Sequence, residues 1–300
     1  MFTRILIPLD GSKTAEKVLP YARFLAGNLK LPVELLAVVD IVEIATHISA
    51  DRARYLDTMI EDSVRNSEQY LRGIARTFPS GTKCTVEKGK AEQIIIETAA
   101  ADKGTLVTMA THGRSGMNRW LLGSVAEKVL RGGTNPMLLV RATEEGKTDG
   151  GATLKSIVVP LDGSELAESV LPTVAELAKT LKLEVVLFRA YSIPYSAYSS
   201  AEGYYAVDYE ELLKAMREEA VDYLEKKTEA VKKLGIDKVS CVAKEGFAAD
   251  EIISLSRKPP DNLIAMCTHG RSGVKRWVLG SVTETVVRHS ADPVLVIRAS

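Results

Sequence analysis

Cysteine is scarce, with three among 300 residues, too few for a disulfide framework. Cys84 and Cys241 fall inside strand-like runs and Cys267 ends another. All three are therefore expected to be buried free thiols of a reducing, cytoplasmic protein. An excess of either charge is also missing, since Lys+Arg and Asp+Glu are 39 each. That balance leaves no electrostatic footprint for nucleic acid or an anionic membrane, so neither is expected as a partner. No run approaches the roughly 20 apolar residues that span a bilayer. No signal peptide is expected, because Met1–Pro8 runs straight into a strand pattern. The four histidines and three cysteines show no metal spacing. A Gly-x4-Gly-Lys-(Ser/Thr) phosphate motif and a Ser/His/Asp signature are also lacking, so no catalytic residue is assigned.

What the chain does contain is one stretch written twice. Aligning Thr111–Arg131 with Thr268–Arg288 gives 15 identities in 21 positions. Each copy follows an apolar run, Leu106–Ala110 in the first, and leads into a helix-like segment. Strand, glycine-rich loop and helix start together suit a phosphate. Glycines let backbone N–H groups approach an anion, and the helix N-terminus adds partial positive charge. The chain thus carries two copies of one candidate site.

The copies extend over the whole chain. The first opens with Ile5-Leu6-Ile7-Pro8-Leu9-Asp10-Gly11-Ser12 and the second with Ile157-Val158-Val159-Pro160-Leu161-Asp162-Gly163-Ser164. Each reads as a buried parallel strand entering a helix, with Ser12 and Ser164 as candidate N-caps. Ala15, Val18, Leu19, Ala22, Leu25, Ala26 and Leu29 then recur at helical spacing. Pro20 and Pro172 fall inside these helices, where a kink is expected. Second strands (33–39 and 185–191), long charged helices (51–78 and 209–234), short third strands (83–87 and 239–243) and closing strands (136–141 and 293–298) follow in both copies. Residues 191–209 of the second copy hold six of the ten tyrosines, a contact surface by composition. The expected organisation is a domain over residues 1–143, a polar linker over 144–152 and a second domain over 153–300. Alternating strands and helices predict α/β architecture: two repeated three-layer sandwich domains, each a five-stranded parallel sheet with helices on both faces. Ligands of such sheets bind at the carboxyl ends of strands, where strand order reverses. If the first and fourth strands are neighbours there, Asp10 and the Gly113 loop share a pocket.

The opening Pro-Leu-Asp-Gly-Ser, the Thr-His-Gly-Arg-Ser-Gly loop, the Leu-Gly-Ser-Val helix start and the closing strand, in that order, resemble the universal stress protein family in its tandem two-domain form. The resemblance implies a Rossmann-like fold of the adenine nucleotide alpha hydrolase type and an ATP site with the pattern Gly-x2-Gly-x9-Gly-(Ser/Thr). The second and third glycines are present as Gly113 with Gly123-Ser124, and as Gly270 with Gly280-Ser281. Ala110 and Cys267 stand at the first. If that position needs positive φ, both residues cost about 1 kcal/mol. If it needs only space beside ribose, Ala fits and the larger Cys crowds it, so the first site is expected to bind better. By the same resemblance, Asp10 and Asp162, with Pro8, Leu9, Pro160 and Leu161 before them, lie near adenine or ribose. Backbone groups of Val38 and Ala190 meet the adenine edge. Gly113, Arg114, Gly116, Gly123, Ser124 and Val125 surround the phosphates, as do Gly270, Arg271, Gly273, Gly280, Ser281 and Val282 in the second copy. His112 and His269 flank these loops. Read from the residues alone, they are loop histidines bonded to backbone, and Trp120 and Trp277 are packing residues.

The function these features imply is adenine-nucleotide binding (ATP, ADP or AMP, with Mg²⁺ bridging phosphates) that biases conformation or assembly in a stress response. The alternative is a nucleotide-free scaffold of the same fold. A third class, an ATP-using ligase or pyrophosphatase, lacks the further phosphate motif or substrate domain it needs. The closing strands imply a pseudo-dimer within the chain, with association of two chains as a further step.

Overall fold

A computed structural model describes residues 2–46, 54–111, 122–141, 151–193, 209–257, 261–268 and 279–298. The chain separates into two compact units. One takes Met1–Thr153 together with Pro293–Arg298, and the other takes Leu154–Lys275 with Leu279–Asp292.

The first unit runs β1 (Arg4–Pro8), α1 (Leu19–Leu29), β2 (Val33–Val39), α2 (Ile41–Thr46), α3 (Leu56–Ala75), β3 (Lys83–Lys88), α4 (Ala91–Ala100), β4 (Thr105–Ala110), α5 (Ser124–Gly132) and β5 (Met137–Val140). Its strands are parallel in the order β3-β2-β1-β4-β5. Ile5, Leu6 and Ile7 of β1 are fully buried, as a central strand covered on both faces requires. Right-handed crossovers put α1 and α3 on one face and α4 with α5 on the other, and α4 packs on α5.

The second unit repeats this with β6 (Ser156–Pro160), α6 (Glu165–Glu168), α7 (Leu171–Leu181), β7 (Glu184–Tyr191), α8 (Tyr209–Lys233), β8 (Val239–Glu245), α9 (Ala248–Ser256), β9 (Asn262–Cys267) and α10 (Ser281–His289). Its parallel order is β8-β7-β6-β9. The last strand, β10 (Val294–Ile297), clusters with the first unit and pairs antiparallel with β5, Leu295 opposite Leu138. Both strands are wholly buried.

The seven apolar positions spaced along 15–29 are all in the core. The prolines act differently from expectation. There is no kinked helix: residues Ala15–Val18 form a separate 3₁₀ turn, and α1 starts anew with Pro20 in its first turn. In the second unit α6 ends at Glu168, and α7 starts with Pro172 in its first turn. A proline is tolerated there because the first N–H groups of a helix have no intrahelical acceptor. Ser164 caps α6 as expected, its Oγ accepting from Ala167 N at 3.1 Å, whereas Ser12, whose Oγ accepts from Ala15 N at 3.1 Å, precedes a 3₁₀ turn whose N-cap is Thr14. Cys84 and Cys241 are only half-buried, because each lies on the outermost strand of its unit's parallel order. Cys267 is buried.

Glu34 is a buried charge of the first unit, as is Glu16. Glu34 of β2 pairs with Arg4 and, at 2.7 Å, with Lys83, while Thr85 donates to it at 2.8 Å. Burial alone would raise its pKa, but the bonds from Lys83 and Thr85 and the charges of Lys83 and Arg4 prevail and hold it below the ordinary value.

Candidate functional site

In the first unit, β1 has β2 on one side and β4 on the other, and the chain leaves these strands in opposite directions. The order reverses between β1 and β4, so a crevice opens beyond their carboxyl ends. In the second unit the same reversal falls between β6 and β9. The neighbouring first and fourth strands assumed from the sequence are thus found in both units, with Ile5 opposite Leu106 and Ile157 opposite Leu263.

One wall of each crevice is the Asp-Gly-Ser turn. Asp10 Oδ1 accepts from Ser12 N at 2.9 Å, and Gly11 takes φ +81°, a conformation that favours glycine. Asp162 Oδ1 accepts from Ser164 N at 2.9 Å and Ser164 Oγ at 2.7 Å, with Gly163 at φ +90°. Both aspartates therefore shape their turn and remain partly exposed at its rim. Pro8 and Pro160 end the strands half-exposed, while Leu9 and Leu161 are buried.

The opposite wall is the end of β4 or β9 and the helix after it. Gly123 N donates to Thr111 O at 2.7 Å, and Gly280 N donates to Thr268 O at 2.8 Å. Each bond closes the base of an excursion and returns the chain to the strand end as the helix begins. Gly123 and Gly280 are the N-caps of α5 and α10, and neither helix start has a side-chain cap. The first-turn N–H groups are therefore not satisfied from that position, and the helix dipole adds partial positive charge. Ser124, Ser281 and Val282 are exposed there and Val125 is half-buried. These two glycines have φ near −60°, so positive φ is not what requires them.

The third side is the end of β2 or β7. Leu9 N donates to Leu36 O at 2.8 Å, and Leu161 N to Phe188 O at 2.8 Å. Peptide groups two residues apart on a strand point the same way. Val38 and Ala190, two residues beyond Leu36 and Phe188, therefore direct their N–H and C=O over the end of β1 or β6. Sequence reasoning missed the glycines that hold this edge. Gly89 N bonds to Val39 O at 3.1 Å and Gly246 N to Tyr191 O at 3.0 Å, with φ of +149° and +142°. It also missed a buttress on the first helical turns: Tyr70 Oη donates to Glu16 at 3.3 Å, and Tyr223 Oη to Glu168 at 2.8 Å. Tyr223 is further stacked under Arg189, 4.7 Å from the ring centroid. Burial, then Glu168, raises its phenol pKa well above the ordinary range. Carrying the self-comparison past the glycine loop pairs Glu16 with Glu168 and Tyr70 with Tyr223, which is the signal that would have found it.

The two crevices differ at the substituted glycine. Ala110 and Cys267 are the last residues of β4 and β9, buried, and neither has positive φ. The substitution therefore introduces no left-handed backbone strain. The Cys267 thiol lies 3.3 Å from Ser169 Oγ, on the far side of the turn carrying Asp162, and Thr283 Oγ1 donates to Cys267 O at 2.9 Å. The first copy has Ala110, Lys17 and Ala126 at these places.

His112, Gly113, Arg114, Gly116, Trp120, His269, Gly270, Arg271, Gly273 and Trp277 lie outside the described residues, as do the linker 142–150 and the tyrosines between 194 and 208. Among the described residues, no group of three or more His, Cys, Asp or Glu side chains could hold a metal ion. No helix among them is long and apolar enough to cross a membrane.

With this geometry in view, comparison decides the lineage. A model of the universal stress protein family matches residues 1–141 and again residues 153–298. The chain belongs to the universal stress protein family. A universal stress protein of Methanocaldococcus jannaschii is 30% identical over 150 residues, covering 50% of this chain and 85% of the relative. One from Bacillus subtilis is 28% identical over 145 residues, covering 47% of this chain and 97% of the relative. Each matches one copy's length of a doubled universal stress protein. The crystal structure of a universal stress protein from Archaeoglobus fulgidus matches 100% of this chain and 98% of its own, with TM-score 0.65 and 19% identity, and so shares the fold.

Proposed function

We propose that this universal stress protein binds an adenine nucleotide, ATP or its products ADP and AMP, at the strand-order reversal of its units. The observation that carries the reading is a helix start without a side-chain cap from its N-cap residue, following the strand that neighbours the one ending in a partly exposed aspartate. First-turn N–H groups and a helix dipole suit phosphates. A partly exposed carboxylate suits ribose hydroxyls or an amine, and the outward peptide groups of Val38 and Ala190 suit the edge of a base. Gly113, Arg114 and Gly116, with Gly270, Arg271 and Gly273, complete the phosphate cradle in this reading. Mg²⁺ would be carried chiefly by phosphate oxygens and water, the way that ion usually reaches a protein.

The nucleotide acts as a ligand that shifts conformation or assembly by its differential affinity for two states. The chain is read as two domains, residues 1–143 and 153–300, joined by the linker 144–152. The thiol of Cys267 supports a second reading for the second copy alone, as a nucleotide-free scaffold. The first crevice is then the working site.

The test is binding of ATP, ADP and AMP to nucleotide-stripped protein by equilibrium dialysis, beside Asp10→Ala and Asp162→Ala. Asp10→Ala is expected to weaken binding about tenfold, with a smaller effect of Asp162→Ala. Retained affinity in both variants would remove the aspartates from the site.

A further inference from the structure

The turn leading into the closing strand differs between the copies at one inward position. In the first copy Asn135 is buried, and its Nδ2 donates to Asp102 O at 2.9 Å and Thr105 O at 3.3 Å. In the second copy Asp292 takes its place, directly before Pro293 and β10. Its main chain is held by Ser290, whose Oγ accepts from Asp292 N at 3.1 Å and lies 3.2 Å from Asp292 O. Its Oδ2 is cut off from solvent with no hydrogen-bond partner among the described residues. Ser256 and Arg257 at the end of α9 face the carboxyl, as does Asp261 at the entry to β9, itself paired with Lys155 at 3.0 Å. His289 is the nearest ionisable residue on its own segment.

An amide nitrogen donates, whereas a carboxylate can only accept. A protonated carboxyl is uncharged and regains one donor, so its burial no longer carries the cost of an unpaired charge. We propose that Asp292 is a proton-operated latch on β10, closed when its carboxyl is protonated and loosened when it ionises. Asp292 directly precedes Pro293 and the closing strand, so the latch sits at that strand's entry. Burial pushes the Asp292 pKa up to about 6, Asp261 adds to the rise, and Ser256 and Arg257 oppose it.

The sign follows from that rise. The folded turn holds its proton up to about pH 6, whereas a free aspartate loses it near pH 4. Stability from this group is full below about pH 4 and is lost as pH rises through about 6. The difference corresponds to roughly a hundredfold in the latch equilibrium.

The experiment is amide hydrogen exchange of the full chain between pH 5 and 8, corrected for intrinsic rates, in wild type and Asp292→Asn. Protection of Val294–Ile297 in wild type is expected to fall at least tenfold across this range, relative to β1 and β2. Asp292→Asn should hold the pH 5 level throughout. A carbon-13 titration of the Asp292 carboxyl should give a midpoint near 6. Flat protection in wild type, a slope surviving in Asp292→Asn, or a midpoint near 4 would overturn the latch. So would an equal slope in β1 and β2, since the proton would then act on the whole fold.

Discussion

At the substituted glycine the two crevices differ by one sulfur atom. Ala110 and Cys267 end matching strands without positive φ, and the Cys267 thiol reaches the C-terminal end of α6, 3.3 Å from Ser169 Oγ. One extra heavy atom in a snug pocket is worth about tenfold in affinity. Cys267→Gly is therefore expected to raise nucleotide affinity at the second site roughly tenfold, and Ala110→Cys to lower it at the first by a similar factor. Equilibrium binding with the other site disabled measures each, and unchanged affinity in both would refute the steric account. The substitution itself was legible in the spacing of the glycines. What it costs was not, because the choice between strain and crowding depends on φ and on Ser169, nearly a hundred residues away in sequence. The aspartates were legible as turn residues, and Oδ1 of each serves its turn.

At the scale of elements, helix ends are where local sequence misleads most. The apolar periodicity of 15–29 identified the buried face correctly, but the prolines were read as kinks when they mark the restart of α1 and α7. Continuity of pattern does not reveal a break when both pieces bury the same face. The C-termini of those helices hide a second surprise. Lys30 and Lys182 take left-handed conformations at φ 53° and 54°, the place where a glycine is usual. Leu31 N and Leu183 N reach back to Ala26 O and Ala178 O at 3.1 and 2.9 Å, which fixes the turn. A side chain in that region costs about 1 kcal/mol. Lys30→Gly and Lys182→Gly should each stabilise the protein by about 0.5–1 kcal/mol, offset in part by the freer unfolded chain. A rise in the urea midpoint at constant slope would show it, and a fall would mean the lysine stems contribute more than the strain removes.

For the whole molecule, doubling was the most legible property, because a repeat needs no structural knowledge to detect. Strand adjacency was less so. The neighbouring of β1 and β4 decides where a site can form, yet β4 follows β1 by about a hundred residues and nothing local in either strand names its partner. The antiparallel pairing of β10 with β5 is equally non-local, and Arg298 reinforces it by donating to Leu130 O and Arg131 O at 2.6 and 2.7 Å, closing the end of α5. Such caps join residues far apart in the chain and leave no periodic trace. The central claim of the proposed function is that the crevices take an adenine nucleotide. Isothermal titration of ATP with Mg²⁺ into nucleotide-stripped protein, beside Gly113→Val and Gly270→Val, tests it most directly. The account predicts saturable binding at micromolar concentrations that is lost mainly with Gly113→Val. Absence of heat and of any thermal shift at millimolar ATP would contradict it.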